Sequence, residues 1–326
     1  MRLQHEGARL MLGWSWESFL MRPHVEHLAP HRSVQNEQPD ARSGSTRACA
    51  RREEAPGSCM HGSSWRLLHD GPAEGPWNMA VDEAIARSVG DGQAPVTLRF
   101  YAWSAPTVSL GYLQRTPGGV DMEACRCHGI GVLRRITGGR AVLHADELTY
   151  SVAVPLVDSW RSLSVPEVFA RISCGLIAGL RHLGVEASPG ESRVLPGGGP
   201  ESGACFLLPR IPAILVGGRK LIGSAQRRWD RFLLQHGSIL LDFDPRLHQM
   251  IFPAWPRVDP AAGVTSLRAL LGTLPPIGDL VSALRAGWCE ALGAVCVPGD
   301  LLPVERTAAE ELARGRYESP TWTFQR

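Results

Sequence analysis

The chain of 326 residues carries 34 basic and 32 acidic side chains, a net charge of +2, with 44% apolar and 20% charged residues. That balance, with no basic run interleaved by aromatics, excludes a nucleic-acid surface, and no apolar run approaches membrane-spanning length. The eight cysteines read as reduced thiols, because the start lacks the basic, apolar, small-residue order of an export signal, and Glu6, Glu17 and Glu26 are unlike a transit peptide; the expected location is the cytoplasm.

Residues 1–60 show neither a helical nor a strand period and are expected to be a disordered extension or a mis-assigned start, since Met60 is followed at once by patterned sequence. His24, His27 and His31 fall inside that segment and are not read as a metal cluster. The patterned part, residues 61–326, opens with WRLLHDG as a strand. WNMAVDEAIARSV then predicts a helix with Asp82 and Glu83 near its start, where the helix dipole favours acids. VTLRFYAW alternates Val96, Leu98 and Phe100 against Thr97, Arg99 and Tyr101, the pattern of a half-buried strand. PTVSLGY is another, ending at Gly111. Cys125, Cys127 and His128 lack zinc-pair spacing, and no metal is expected.

GVLRRI and AVLHADELTYSVAVP predict strands joined by Thr137, Gly138 and Gly139. Glycines there let a ligand approach the backbone, and Arg134 and Arg135 can add charge, yet residues alone favour an ordinary hairpin turn. His144, by itself, reads as a satisfied core or edge histidine. Ser164, Val165, Pro166 and Glu167 spell a capping box, after which apolar residues recur at helical spacing from Val168 until Gly184. Ser188 to Gly203 is long for a loop and is expected to be a lid or an insertion. AILV and RKLIGSA flank Gly217 and Gly218 as a hairpin, and RFLLQHGSILLDF continues the sheet. From about residue 265 a helical tail is expected.

Lys220 is the single lysine, the other 33 basic residues being arginine. Where only charge is needed, this chain uses arginine; a lysine offers a compact ammonium whose pKa burial can lower. Cys205 stands nearby in sequence. A cysteine beside an ammonium gains thiolate character, although a cysteine taken by itself more often packs as a small hydrophobe.

RRITGGRAVLHADELTYS and GRKLIGSAQRRWDRFLLQHGSILLD, with NMAVDEA and LRFYAWSAPTVSLGY, resemble the lipoate-protein ligase and octanoyltransferase family, related to biotin-protein ligases. The resemblance runs from Trp65 to the C-terminus. It implies an α+β fold, a mixed β-sheet flanked by helices, with Gly138 and Gly139 lining an acyl pocket, Arg135 and His144 beside it, and Lys220 reaching the acyl carbonyl. Ala204, Cys205 and Phe206 match the cysteine-containing octanoyltransferase branch. The implied reaction passes octanoyl from acyl carrier protein to Cys205 and then to the lysine of a lipoyl-domain acceptor, such as glycine cleavage H protein or a 2-oxoacid dehydrogenase E2. In that scheme Lys220 holds the thiolate and relays the amine's proton, and backbone N–H groups near Gly223 or near the cysteine steady the oxyanion. No cofactor is needed; ATP and Mg would enter only for an ATP-dependent lipoate ligase, and an amidotransferase between lipoyl domains is a further alternative. The chain is expected to act as a monomer.

Overall fold

The computed structural model describes residues 64–117, 119–191, 212–253 and 263–326. The expected N-terminal extension and Cys205 lie outside the described residues. β1 (Ser64–Ala73) leads into α1 (Gly75–Gly90), where Pro76 occupies the first turn with its fixed φ and no orphan N–H. The helix starts seven residues before Asp82, so Asp82 and Glu83 are not first-turn acids answering the dipole. Both lie buried in mid-helix, a location that must be explained by partners. β2 (Thr97–Trp103) is buried at every position and not alternately, because helices and C-terminal segments cover the face that its polar residues occupy.

β3 (Thr107–Leu110) follows, then α2 (Met122–Cys127), N-capped by Asp121, whose side chain accepts from Ala124 N–H at 2.9 Å. Cys125 packs in a core cluster with Val108, Leu110 and Phe252 and burial pushes its thiol up to about 11, whereas Cys127 is exposed. β4 (Gly131–Arg134) and β5 (Val142–His144) are not a hairpin: β3 lies between them, parallel to β4 and antiparallel to β5. The Thr-Gly-Gly segment must therefore cross over β3, which a two-residue hairpin turn cannot do. The apolar run after it also breaks, at Ala145 and Asp146, before β6 (Glu147–Pro155) joins the larger sheet.

α3 (Asp158–Arg161) precedes α4 (Val165–His182), where Glu167 accepts from Ser164 N–H at 2.7 Å. Ser188–Glu191, expected in a loop, forms the edge strand β7, paired with β8 (Pro212–Val216). β8 returns through Gly217 and Gly218 into β9 (Arg219–Arg228), followed by β10 (Phe232–Leu240). Then come α5 (Pro245–Ile251), α6 (Leu267–Leu271), α7 (Ile277–Leu292), β11 (Val295–Pro298), α8 (Pro303–Leu312), a π-helical turn Ala313–Tyr317 and α9 (Pro320–Thr323). The tail is thus not purely helical, since β11 adds a parallel edge to β1.

The larger sheet has eight strands in the order β11-β1-β2-β6-β10-β9-β8-β7; the smaller has β4-β3-β5. α1 lies on the central strands with the π-helical turn and α8 packed behind it, so Met79, Val81 and Ile85 share a core cluster with Tyr101, Trp103, Ala309 and Tyr317. α4 and α7 pack against one another through small residues. A Cβ at Gly287 would stand 1.9 Å from the Gly179 backbone nitrogen, and one at Gly175 would stand 2.8 Å from the Trp288 ring. Backbone cannot yield as a side-chain tip can, so Gly287→Ala is expected to lower stability by about 2–3 kcal/mol in urea unfolding, the upper part of the overpacking range. An unchanged midpoint would refute this close crossing.

Candidate active site

Strand register assembles the site before any individual contact is considered. Across β2, β6, β10 and β9, Arg99, Ser151, His236 and Ala225 fall in one row, and Tyr101, Thr149, Ser238 and Gly223 in the next. Residues two apart on a strand share a face, so both rows lie on one side of the sheet, under α1. Asp82 comes down from α1 onto the first row. Its Oδ1 accepts from Arg99 Nη1 and from the Ser151 hydroxyl, each at 2.8 Å, and its Oδ2 accepts from the Tyr101 hydroxyl at 2.9 Å. His236 Nδ1 completes the set at 3.1 Å from Oδ2.

Burial would raise the Asp82 pKa, but the His236 hydrogen bond and the Arg99 charge reverse it and hold the carboxyl below its ordinary 3.8. Burial pushes His236 below its ordinary 6.5, against the pull of Asp82. An ionised carboxylate only accepts, so Nδ1 of His236 carries the proton and Nε2 accepts from the Thr137 hydroxyl at 2.6 Å. Asp82 and His236 thereby tie the Thr-Gly-Gly segment to the sheet.

Other contacts hold that segment from two more sides. Arg135 reaches across it, donating from Nη2 to the Gly138 and Arg140 carbonyls at 2.7 and 2.8 Å and from Nη1 to Ser109. Arg134, wholly buried, donates to the Gly111 and Gln114 carbonyls at 2.7 Å and to the Thr323 carbonyl at 2.9 Å. Its charge is thus turned toward backbone oxygens. Gly139, at φ 93°, brings its carbonyl so close to Gly111 that a Cβ there would stand 1.9 Å away. Only glycine at 111 allows that approach.

A second chain of polar groups runs beside the first. Glu147 Oε1 faces His144 Nδ1 at 2.8 Å, and His144 Nε2 faces Ser109 Oγ at 2.8 Å. Thr149 and Ser238 donate to the same Oε1 at 2.6 and 2.9 Å. Burial would raise the Glu147 pKa, but His144 and these hydroxyls hold it below the ordinary value of 4.5. The His144 ring stacks on Trp103, centroids 4.0 Å apart, and Trp103 Nε1 donates to Thr149 Oγ1 at 2.8 Å.

Both chains meet at one pocket of about 400 Å³, counting its open mouth, walled in part by Met79, Ser109, Arg135, His144, Ala225 and His236. Of the residues expected from sequence, Arg135, His144 and Gly223 line it. Gly138 and Gly139 do not; they stand in the crossover, where the Gly139 carbonyl packs on Gly111. Lys220 is wholly buried on β9 opposite Leu215, its backbone bonded to Gly263 and Thr265, and does not wall the pocket. Sequence reasoning missed Asp82, Arg99, Tyr101, Ser109, Thr137, Glu147 and His236. The available signal was polar residues two apart, at 99 and 101, at 147, 149 and 151, and at 236 and 238, in strands otherwise apolar enough to be central.

A family profile described as lipoyl protein ligase A/B catalytic domain matches residues 74–288, which includes both polar chains and the crossover. The chain belongs to that family. Octanoyltransferase LipM of Kyrpidia tusciae is 43% identical over 81% of this chain and 99% of its own. That of Symbiobacterium thermophilum is 41% identical over 81% and 99%. Among solved structures, a lipoate-protein ligase A bound with ATP is 26% identical with a TM-score of 0.66, covering 80% of this chain and 98% of that one. A bipartite lipoate protein ligase from Thermoplasma acidophilum, solved in work on the ligase and its E2 lipoyl domain, is 25% identical with a TM-score of 0.64 over 80% and 96%. The fold of this lipoyl ligase family member is the mixed sheet flanked by helices expected from sequence.

Removing the Asp82 charge leaves Arg99 buried with only the part-exposed Asp70, 2.6 Å from its Nε, as counter-ion, so Asp82→Asn should cost about 3 kcal/mol in urea unfolding at pH 7. A depressed carboxylate stabilises fully above its unfolded value, near 3.8, and loses that contribution as pH falls below it. The gap between variant and wild type should therefore narrow below that pH; a constant gap would refute the assignment.

Proposed function

We infer that this protein is an octanoyltransferase of protein lipoylation, moving octanoyl from an acyl carrier protein to the lysine of a lipoyl-domain acceptor through a thioester on Cys205. The observation that carries the reading is the 43% identity to an octanoyltransferase over 99% of that relative. The pocket supports it, since apolar side chains such as Met79 and Val142 line it together with a few convergent polar groups, the usual makeup of a small-ligand site. Gly223 and Ala225, the small members of the two strand rows, leave the space an alkyl chain would fill.

In this reading Cys205 sulfur attacks the carrier thioester, the carrier thiolate leaves, and the acceptor amine then attacks the acyl-enzyme. Thioester exchange is nearly balanced and the amide is the more stable product, so ATP is not consumed. Lys220 supplies an ammonium to the thiolate, a task for which a compact, pKa-adjustable cation suits better than a guanidinium. Arg135 and His144 border the acyl group and Gly223 gives it room.

Intact-mass measurement after mixing with octanoyl carrier protein, without ATP, should find a hydroxylamine-labile octanoyl adduct on the wild type and none on Cys205→Ala. An adduct-free wild type that forms product only with ATP and free lipoate, releasing pyrophosphate, would instead make it a ligase, the activity named for the ATP-bound structural relative. Lys220→Arg keeps charge but not geometry and should lose at least about 100-fold in transfer; near-normal turnover would remove the lysine from the mechanism. Ala225→Leu should depress octanoyl transfer relative to butanoyl transfer by about 10-fold or more, the scale set by a few methylenes in an apolar pocket. An equal fall for both chains would place the acyl group elsewhere.

A further inference from the structure

Two carboxylate–histidine–hydroxyl chains reach the same pocket, and they differ in the charge that faces their carboxylates. Asp82 is held by Arg99, a permanent cation at 2.8 Å, and His236 is faced by Asp82 on one side and feels the Arg135 charge on the other. A further proton on His236 would therefore add a second cation to a carboxylate that is already matched. Glu147 has no such partner. Its only ion-pair partner among the described residues is His144, and its Oε2 is buried without a hydrogen-bond partner among them. A buried carboxylate lacking a permanent counter-ion is costly, and a proton arriving on His144 would supply the missing charge.

The geometry gives that proton a route. With Glu147 ionised, Nδ1 of His144 carries the hydrogen and Nε2 is the acceptor, aimed at Ser109 Oγ 2.8 Å away. Arg135 Nη1 donates to that same oxygen at 2.9 Å, so the hydroxyl hydrogen is left to point at His144. The ring cannot swing aside, being stacked on Trp103. Ser109 and His144 both wall the pocket.

We propose that Ser109, His144 and Glu147 form the proton-accepting chain for the amine step of transfer. The proposal rests on the octanoyltransferase reading and moves the amine's proton from Lys220, where the sequence scheme put it, to His144. The acceptor lysine nitrogen attacks the thioester carbonyl; the C–N bond forms, the C–S bond breaks and Cys205 leaves as thiolate. The amine's proton passes to Ser109 Oγ while the Ser109 proton passes to His144 Nε2, giving an imidazolium against Glu147. The imidazolium then releases the proton to water. Acylation makes no matching demand, because the departing carrier thiolate is a good leaving group without an acid.

The test isolates octanoyl-enzyme from wild type, His144→Gln, Glu147→Gln and Ser109→Ala and follows its decay in single turnover with a lipoyl-domain acceptor and, separately, with hydroxylamine. Adduct formation serves only to load each variant, and the two nucleophiles are then compared on the loaded enzyme. Decay to the lysine acceptor should slow by about 100-fold or more in His144→Gln and Glu147→Gln, the range for losing a positioned base. Hydroxylamine, largely unprotonated at neutral pH, should still discharge the variants at near wild-type rate. Raising pH should partly restore lysine transfer, since hydroxide then takes the proton. Unchanged lysine transfer, or an equal loss with both nucleophiles, would overturn the proposal and leave the triad a structural element. A wild type that never acquires octanoyl would instead sink the transferase reading itself.

Discussion

The contact between Asp82 and Arg99 fixes the position of α1 over the sheet, and most of the site follows from that. A carboxylate and a guanidinium that are each 1% exposed are tolerable only with nearly every polar atom matched. The matching draws in Tyr101 and Asn78, then Ser151 from β6 and His236 from β10. One ion pair thus sets helix depth, strand register and the orientation of a pocket-lining imidazole together. Directional contacts of this kind specify position in a way that the surrounding apolar cluster, which tolerates exchange of similar volumes, does not.

The crossover at Thr137 to Gly139 is the second consequence. A loop passing over a strand has few backbone partners of its own, and here side chains replace them: Arg135 grips its carbonyls, His236 its hydroxyl, and Arg134 the end of β3 over which it passes. Two adjacent arginines are needed because they point to opposite sides, one toward the pocket and one toward the C-terminal segment. Glu83, the neighbour of Asp82, braces the same segment through Arg316 and the Tyr317 hydroxyl.

The strands other than β7 and β11, the capping box at Ser164 and the glycine hairpin before Lys220 were legible because local pattern decides them. Asp82 and Glu83 were not, since a helix written with many alanines accommodates a register in which the acids sit either at its start or in its middle, and only tertiary partners discriminate. The Thr-Gly-Gly segment misled for a related reason: whether two strands joined by a glycine pair are neighbours depends on a third strand, β3, inserting between them. His144 read as a satisfied histidine and is one, bonded at both ring nitrogens; the informative fact, that its carboxylate partner lacks an arginine, is a property of space and not of spacing. Family resemblance pointed to Arg135, His144 and Gly223 where residue patterns alone gave no reason to choose them.

Arg134 holds the carbonyl of Thr323, 189 residues further along, and Trp322 donates back to the Arg134 carbonyl. During synthesis every strand but β11 has been made by Leu240, long before that partner emerges. The crossover beside the pocket can take its final shape only once residue 323 has cleared the ribosome, so binding competence arrives late on the growing chain, after most of the core that surrounds it.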